Sequence, residues 1–410
     1  MRTSTEAYRR LALVASVVTL ASILSACGKN TTSAANKSSD AVWTLPIATS
    51  TITPRGVWAA VAMGHLRDPL NTFWQLPFRP AGKTTWTNQV EATATATNGG
   101  LILASAGGTL LVGIRPSVDL TFSPLISTDN GGLKWSSGLL DTALIPAAGS
   151  LAVEANKTAG AVTASAVTAG ASGDSKVESD EGNLSSWRTV GDLRSLNLSA
   201  AGRACDPRAL TAVGYSGENL VVGAACTDAG SNGMFTVGAD GWRGTGPALS
   251  ASAGSAVTVL AAASQGSGQP AATQEAFLLG LTGPAGERPR LVVVSSPDGT
   301  DWKVSSAIAI SSTRAVVSFG PAPGGELFVL ARDSAGSIVP YVTSGPGAQW
   351  VRLPDAPPGT ATLAEGHAGT LEALAVNDTV LTFSTFDPRA GNWGTSQIMP
   401  VKIEFGSSNP

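Results

Sequence analysis

Apolar residues in this chain gather into runs of five or six, and each run is cut off by Gly, Pro, Ser or Asp. Between residues 101 and 135 the runs are Leu101 to Ser105, Thr109 to Ile114 and Leu120 to Leu125, and Trp135 opens a fourth. The order recurs later: Arg314 to Phe319, Glu326 to Ala331 and Ile338 to Val342, then Trp350. Runs of this length bounded by turn residues predict β-strands. They are nearly continuous rather than alternating, so both faces of each small sheet are expected to be covered.

The fourth strand of each group starts at a tryptophan behind a Gly-, Ser- or Asp-rich turn. Trp43, Trp86, Trp135, Trp187, Trp242, Trp302 and Trp350 follow one another at 43, 49, 52, 55, 60 and 48 residues, one period with insertions. Ser127-Thr-Asp-Asn-Gly-Gly-Leu-Lys-Trp135 is the best-formed copy. Its Asp, Asn and glycines supply side-chain-to-backbone hydrogen bonds and positive φ angles, and its Trp supplies a large ring to bury.

This copy resembles the Asp-box of bacterial neuraminidase-type repeats, Ser/Thr-x-Asp/Asn-x-Gly-x-x-Trp. Thr128, Asn130, Gly132 and Trp135 match throughout; Ser296, Asp298 and Trp302 match with one residue deleted; Thr343, Gly347 and Trp350 match with Gly345 in the Asp position. The resemblance implies a β-propeller in which the box is a structural turn between the third and fourth strands of a blade, away from the ligand face. After Trp350 the readable strands are Leu371 to Val376, Val380 to Thr385 and Gln397 to Phe405, with no fourth. Ser38 to Pro46, around Trp43, reads as a turn and fourth strand with no blade before it. Pairing it beside Gln397 to Phe405 would close a ring and remove both free edges. The expectation is therefore an all-β, seven-bladed β-propeller over residues 41–405, with an N-terminal strand closing the last blade. Six or eight blades, an irregular sandwich or two smaller β domains are the alternatives. Trp58 and Trp74 fall on first-blade strands, and Trp393 is left outside the box series.

Composition agrees with strands and turns. Of 410 residues, 47 are Gly and 24 Pro, and only 13% are charged. The net charge of -3, with no basic cluster after the first ten residues, excludes a nucleic-acid surface. The N-terminus changes the picture more. Arg2, Arg9 and Arg10 precede an apolar run of 13 residues, Leu11 to Ile23, too short for a bilayer core that needs about twenty. Leu24-Ser25-Ala26-Cys27 then resembles the lipobox of bacterial lipoproteins. That resemblance implies a signal peptide over 1–26, a lipid (palmitate-type) anchor on Cys27, and the extracytoplasmic face of the cell membrane as location. Residues 27–40 carry no large apolar side chain and read as a tether, and 406–410 as a tail. Arg9-Arg10 leaves Sec and twin-arginine export both open.

Export makes a disulfide the first expectation for the remaining cysteines, Cys205 and Cys226. Ala209 to Gly214 and Asn219 to Ala225 read as a hairpin, which brings the two thiols face to face. Catalysis is poorly supplied. His65 and His367 read as loop residues; Asp129-Asn130-Gly131 and Asp298-Gly299 are oxygen-rich but lack the further carboxylates of a calcium site; no metal or cofactor is expected. The Asp-box resemblance admits a sialidase, which needs a Tyr nucleophile and arginines on the substrate carboxylate. Tyr215 near Glu218, Tyr341, and the set Arg79, Arg115 and Arg208 are its candidates. The expected function is binding or scaffolding for an envelope protein or a glycan, at the central funnel or the loop-bearing face, with a sialidase-type hydrolase as the alternative. A third reading is an assembly factor that holds other envelope proteins, which the long Ala/Gly/Ser loops Ala164 to Gly182 and Ser264 to Gln274 would serve if they order on contact.

Overall fold

The computed structural model describes residues 42–64, 72–89, 98–117, 119–154, 162–169, 174–228, 231–249, 255–265, 274–284, 286–345, 347–377 and 379–399. Cys27, the tether, His65 and the tail lie outside the described residues. The described chain is all-β, with two six-residue helices, Leu193–Leu198 and Ala200–Cys205, and a few 3₁₀ turns.

Six antiparallel sheets follow in chain order. The first runs from Thr49–Thr53 to Thr87–Asn88, the second from Gly100–Ala106 to Ser136–Leu140, and the third from Ala143–Leu144 to Arg188–Asp192. The fourth has nine strands and holds two meanders, one starting at Pro207–Ser216 and one at Ala256–Gln265, joined where Ala225 and Cys226 pair with Thr258 and Val257. The fifth spans Val316–Pro321 to Val351–Arg352, and the sixth Thr360–Glu365 to Gln397–Met399.

The leading strands lie side by side. Thr49–Thr53 touches Gly100–Ala106, and contact passes on through Leu151–Glu154, Pro207–Ser216, Ala256–Gln265, Val316–Pro321 and Thr360–Glu365, which returns to Thr49–Thr53. The cores lie between neighbouring sheets: Val57, Val61 and Met63 of the first pack with Leu374, Leu381 and Met399 of the sixth.

Two expectations about the ends are corrected. Residues 42–48 form no strand, and Gln397–Met399 pairs with Val380–Asp387 of its own sheet, so no described sheet takes strands from both chain ends. Trp43 and Leu45 instead pack between the fourth and fifth sheets with Leu278, Leu291, Val316 and Val329. The indole lies on Gly280, where a Cβ would come within 2.3 Å of it. Thr360–Glu365, Thr-Ala-Thr-Leu-Ala-Glu, is the first strand of the sixth sheet, so that sheet needs no strand from the N-terminal side. It carries one large apolar residue, yet Leu363 and Ala364 are fully buried, because the strand lies against Thr49–Thr53 and Val316–Pro321. Trp393, on Asn392–Trp393 behind the Asp387 to Gly391 turn, holds the place in its sheet that Trp350 holds in the previous one. It, not Trp43, is the seventh member of the series. Likewise Ala164 to Gly182 is chiefly two paired strands, Val162–Ala169 and Ser175–Gly182, rather than a loop.

The turns before the tryptophans are built by their polar side chains. Thr128 Oγ1 accepts from Gly132 N at 3.0 Å and Asn130 Oδ1 from Lys134 N at 2.9 Å, with Gly131 and Gly132 at φ 77° and 84°. Ser296 and Asp298 do the same for Gly299, Thr300 and Asp301, while Trp302 Nε1 donates to Gly299 O at 3.0 Å. At Thr343 the missing Asp leaves a smaller loop, closed by Gly345 N on Thr343 Oγ1 with Gly347 at φ 86°. Trp350 Nε1 reaches Ser306 O at 3.0 Å.

Cys205 and Cys226 form a disulfide with Cα atoms 5.0 Å apart. The hairpin is as expected, Pro207–Ser216 with Asn219–Cys226, but Cys205 ends the helix ahead of it rather than sitting in the ladder.

Candidate functional site

Two places collect buried polar groups: the axis where the leading strands meet, and the cleft between the first and sixth sheets.

The axis is shut. Thr49 Oγ1 donates to Phe319 O at 2.9 Å, Ser50 Oγ to Leu363 O at 2.6 Å and Ser264 Oγ to Ser105 O at 2.7 Å; Thr51 Oγ1 meets Ser105 Oγ. Short hydroxyl side chains bonded directly to neighbouring strands bring those strands together. The space left, beside Glu275, Thr51 and Ser264, is about 30 Å³, room for one water and no ligand. Among the described residues, the space beside Glu275 at this axis is too small for a ligand. Glu275 is buried, lines this space and accepts from the Tyr215 backbone N–H; burial raises its pKa to about 8. Tyr215 itself is 6% exposed, with its hydroxyl 2.8 Å from Ser165 Oγ, and burial pushes its pKa up.

The cleft is open and has two lobes. The larger, about 620 Å³, is walled by Thr53, Pro54, Gly56, Arg79, Glu365 and the His367 to Gly369 turn. The second, about 530 Å³, is walled by Thr84, Thr85, Trp86, Phe383, Ile398 and Met399. His367 and Ala368 line both, as a partition. That turn is held by Gly366 N on Thr370 O at 2.6 Å and by Thr370 N on His367 O at 3.2 Å, and Ala368 sits at φ 54°, ψ 31°. A side chain in the left-handed region stores backbone strain, and here it stands at the cleft mouth.

Beneath the partition Glu372 ties three elements together. Its Oε2 accepts from Trp86 Nε1 at 2.8 Å and lies 3.7 Å from Arg79 Nε; the His367 backbone N–H also favours its charged form. The Arg79 guanidinium stands 5.5 Å from the Trp86 ring centre and donates to Lys83 O at 2.9 Å and to Glu365 O. Burial lowers the Arg79 pKa and raises those of Glu372 and Glu365, against the pull of each on the other. The cleft can therefore offer charge, hydroxyls and apolar surface to a ligand, but among the described residues no group of three or more His, Cys, Asp and Glu could hold a metal.

The sequence candidates are not brought together. Arg79 lines the larger lobe; Arg115 donates to Gly99 O in the second sheet at 3.1 Å; Arg208 is exposed on the fourth. Tyr341 lies half-buried on the fifth sheet, and neither tyrosine lines either lobe. Glu365, Glu372 and Trp86 were missed as site residues, and His367 was read as a plain loop residue. Their juxtaposition joins residues 286 apart, as at Trp86 and Glu372, and it has no local signature.

No family model matches the chain, and no curated protein matches it. Solved structures do. It is similar to the Aleuria aurantia lectin, described as a six-bladed β-propeller with fucose recognition, at 14% identity and TM-score 0.41, covering 76% of this chain and 95% of that one. It is similar to a putative 6-phosphogluconolactonase from Bacteroides uniformis at 14% identity and TM-score 0.47, covering 84% and 98%. The β-propeller domain of the Trilobed protease from Pyrococcus furiosus aligns at 10% identity and TM-score 0.45, covering 88% and 98%.

Proposed function

We propose that this chain is an extracytoplasmic lipoprotein, anchored through Cys27, whose folded part is a seven-bladed β-propeller that binds a glycan in the cleft between its first and last blades. The blade count follows the unbroken cycle of leading strands, with the nine-stranded sheet counted as two blades. The turns at Thr128, Ser296 and Thr343 are taken as Asp-boxes that mark blade ends. Placing the ligand in the cleft rests on one observation: among the described residues, its two lobes, which meet at His367 and Ala368, hold about 620 and 530 Å³, while the axial space holds about 30 Å³. Thr84, Thr85, Thr370, Thr385 and Gln397 set hydroxyls and an amide beside Phe383 and Ile398, the mixture that a polyhydroxylated ring matches. The sialidase alternative is weaker, because its tyrosines lie outside the cleft.

Glycan-array screening of the mature chain tests this, followed by Thr85→Trp. Thr85 is exposed, so the larger ring fills the second lobe without entering a core. Binding is expected to fall at least tenfold; a hit retained at full affinity by Thr85→Trp would place the ligand elsewhere. For the anchor, mass spectrometry should find lipid on the wild-type chain and none on Cys27→Ala.

A further inference from the structure

The two carboxylates at the cleft differ in what they are already doing. Glu372 is committed to the wall: Trp86 Nε1 and the His367 backbone N–H bind it, and Arg79 faces it. Arg79 is committed too. It is 4% exposed, both terminal nitrogens donate to backbone carbonyls, and its Nε makes no hydrogen bond among the described residues. Glu365 receives the Arg79 charge from a distance, but its carboxylate makes no hydrogen bond or ion pair among the described residues, and it lines the larger lobe. Two carboxylates, Arg79 and the His367 imidazole share this wall; His367 and Arg79 both act on Glu372, and Glu365 is the carboxylate that faces the larger lobe with no hydrogen bond among the described residues.

A half-buried carboxylate without a partner is costly until a donor arrives, and a cationic donor offsets the most. The rest of the lobe tells what carries that cation. Gly56, Gly82, Gly324, Gly366 and Gly369 line it, so backbone rather than long side chains forms much of its wall, and the space is broad. A lysine or peptide terminus calls for a narrow sleeve around its stem; a broad chamber with backbone hydrogen-bonding groups suits a ring.

Resting on the glycan reading above, we infer that the larger lobe selects amino sugars, with Glu365 pairing with the ligand's protonated amine. Glu365 acts as a specificity-determining residue, and the second lobe takes the neighbouring sugar unit of the same chain.

The test is calorimetric titration of the mature protein at pH 6 with two probes, a glucosamine trisaccharide and its fully N-acetylated counterpart. Acetylation removes the charge and keeps the rings. Tighter binding of the free amine, by tenfold or more, is expected, and Glu365→Gln should bring that ratio close to one, with thermal unfolding confirming that the variant folds. Equal binding of both trisaccharides by the wild type overturns the amine selection while leaving the glycan reading in place. A tenfold ratio that survives Glu365→Gln overturns the assignment of the residue. If neither trisaccharide nor any neutral glycan binds but a lysine-rich peptide does, and Glu365→Gln abolishes it, the glycan reading itself fails together with this inference.

Discussion

The axis and the cleft are both seams between sheets, and both enclose carboxyl groups, yet one is sealed and the other open. The difference lies in side-chain length and turn chemistry. At the axis Thr49, Ser50, Thr51, Ser105 and Ser264 reach the next strand with a single hydroxyl, so the strands close until about 30 Å³ remains. At the cleft Arg79, Trp86 and Glu372 stand between the sheets as long struts, and a glycine-rich turn spans the gap above them. The treatment of charge follows. Burial raises the pKa of both, but at Glu372 the Trp86 hydrogen bond and the Arg79 charge pull against it, while at Glu275 the pull comes from the Tyr215 backbone N–H. Sealing suits stability and openness suits a ligand, so substitutions in the two seams should separate the two properties.

The largest effect is expected where the N-terminal segment supports the sealed seam. Trp43→Ala empties the indole site over Gly280 and should cost about 3–5 kcal/mol, read as a fall in the denaturation midpoint, with ligand affinity of the folded fraction unchanged. If affinity drops as well, the seams are coupled. Next comes Glu275. Its carboxyl keeps its proton in the folded state up to about pH 8, while in the unfolded chain it ionises near 4.3. Its raised pKa means that its stabilising contribution is complete below the unfolded value and is lost as pH rises from about 5 through 8. Glu275→Gln should flatten that decline, removing on the order of 5 kcal/mol of pH dependence across the window. Identical pH profiles for wild type and variant would mean the carboxyl is not enclosed. Smallest is Ala368→Gly at the open seam. Glycine accepts φ 54° without strain, so stability should rise by about 0.5–1 kcal/mol while ligand affinity weakens slightly as the partition loosens. An unfolding midpoint that falls instead would show that the Ala368 methyl is itself a packing contact.

Much of the fold was legible because it is locally encoded. The strands Gly100–Ala106, Thr109–Arg115, Leu327–Arg332 and Ile338–Thr343 fall within two residues of the apolar runs, and the polar turns before the tryptophans bond as their composition implies. The disulfide was legible from the hairpin between its cysteines. What failed was the reading of small residues. Thr360–Glu365 and Val162–Ala169 are rich in Ala, Thr and Ser, which pattern reasoning assigns to loops; the first is a leading strand at the axis, and the second is held between two partners of its own sheet. Missing the first of these strands displaced the ring closure onto Trp43 and hid Glu365, which ends that strand. The cleft was illegible for another reason: it joins the beginning of the folded chain to its end.

The segment from Trp43 to Ile47 has a mechanical meaning. Trp43 is wedged between the fourth and fifth sheets, Leu45 O accepts from Ala148 N in the third at 3.2 Å, and Ile47 packs on Ile102 and Leu111 of the second. A pull reaching Trp43 from the N-terminal side would therefore pass through these three attachments before it reached any strand. An edge strand would unzip one hydrogen bond at a time under the same force. An anchor on the N-terminal side, if present, would hold the folded part through these inner sheets rather than through one edge.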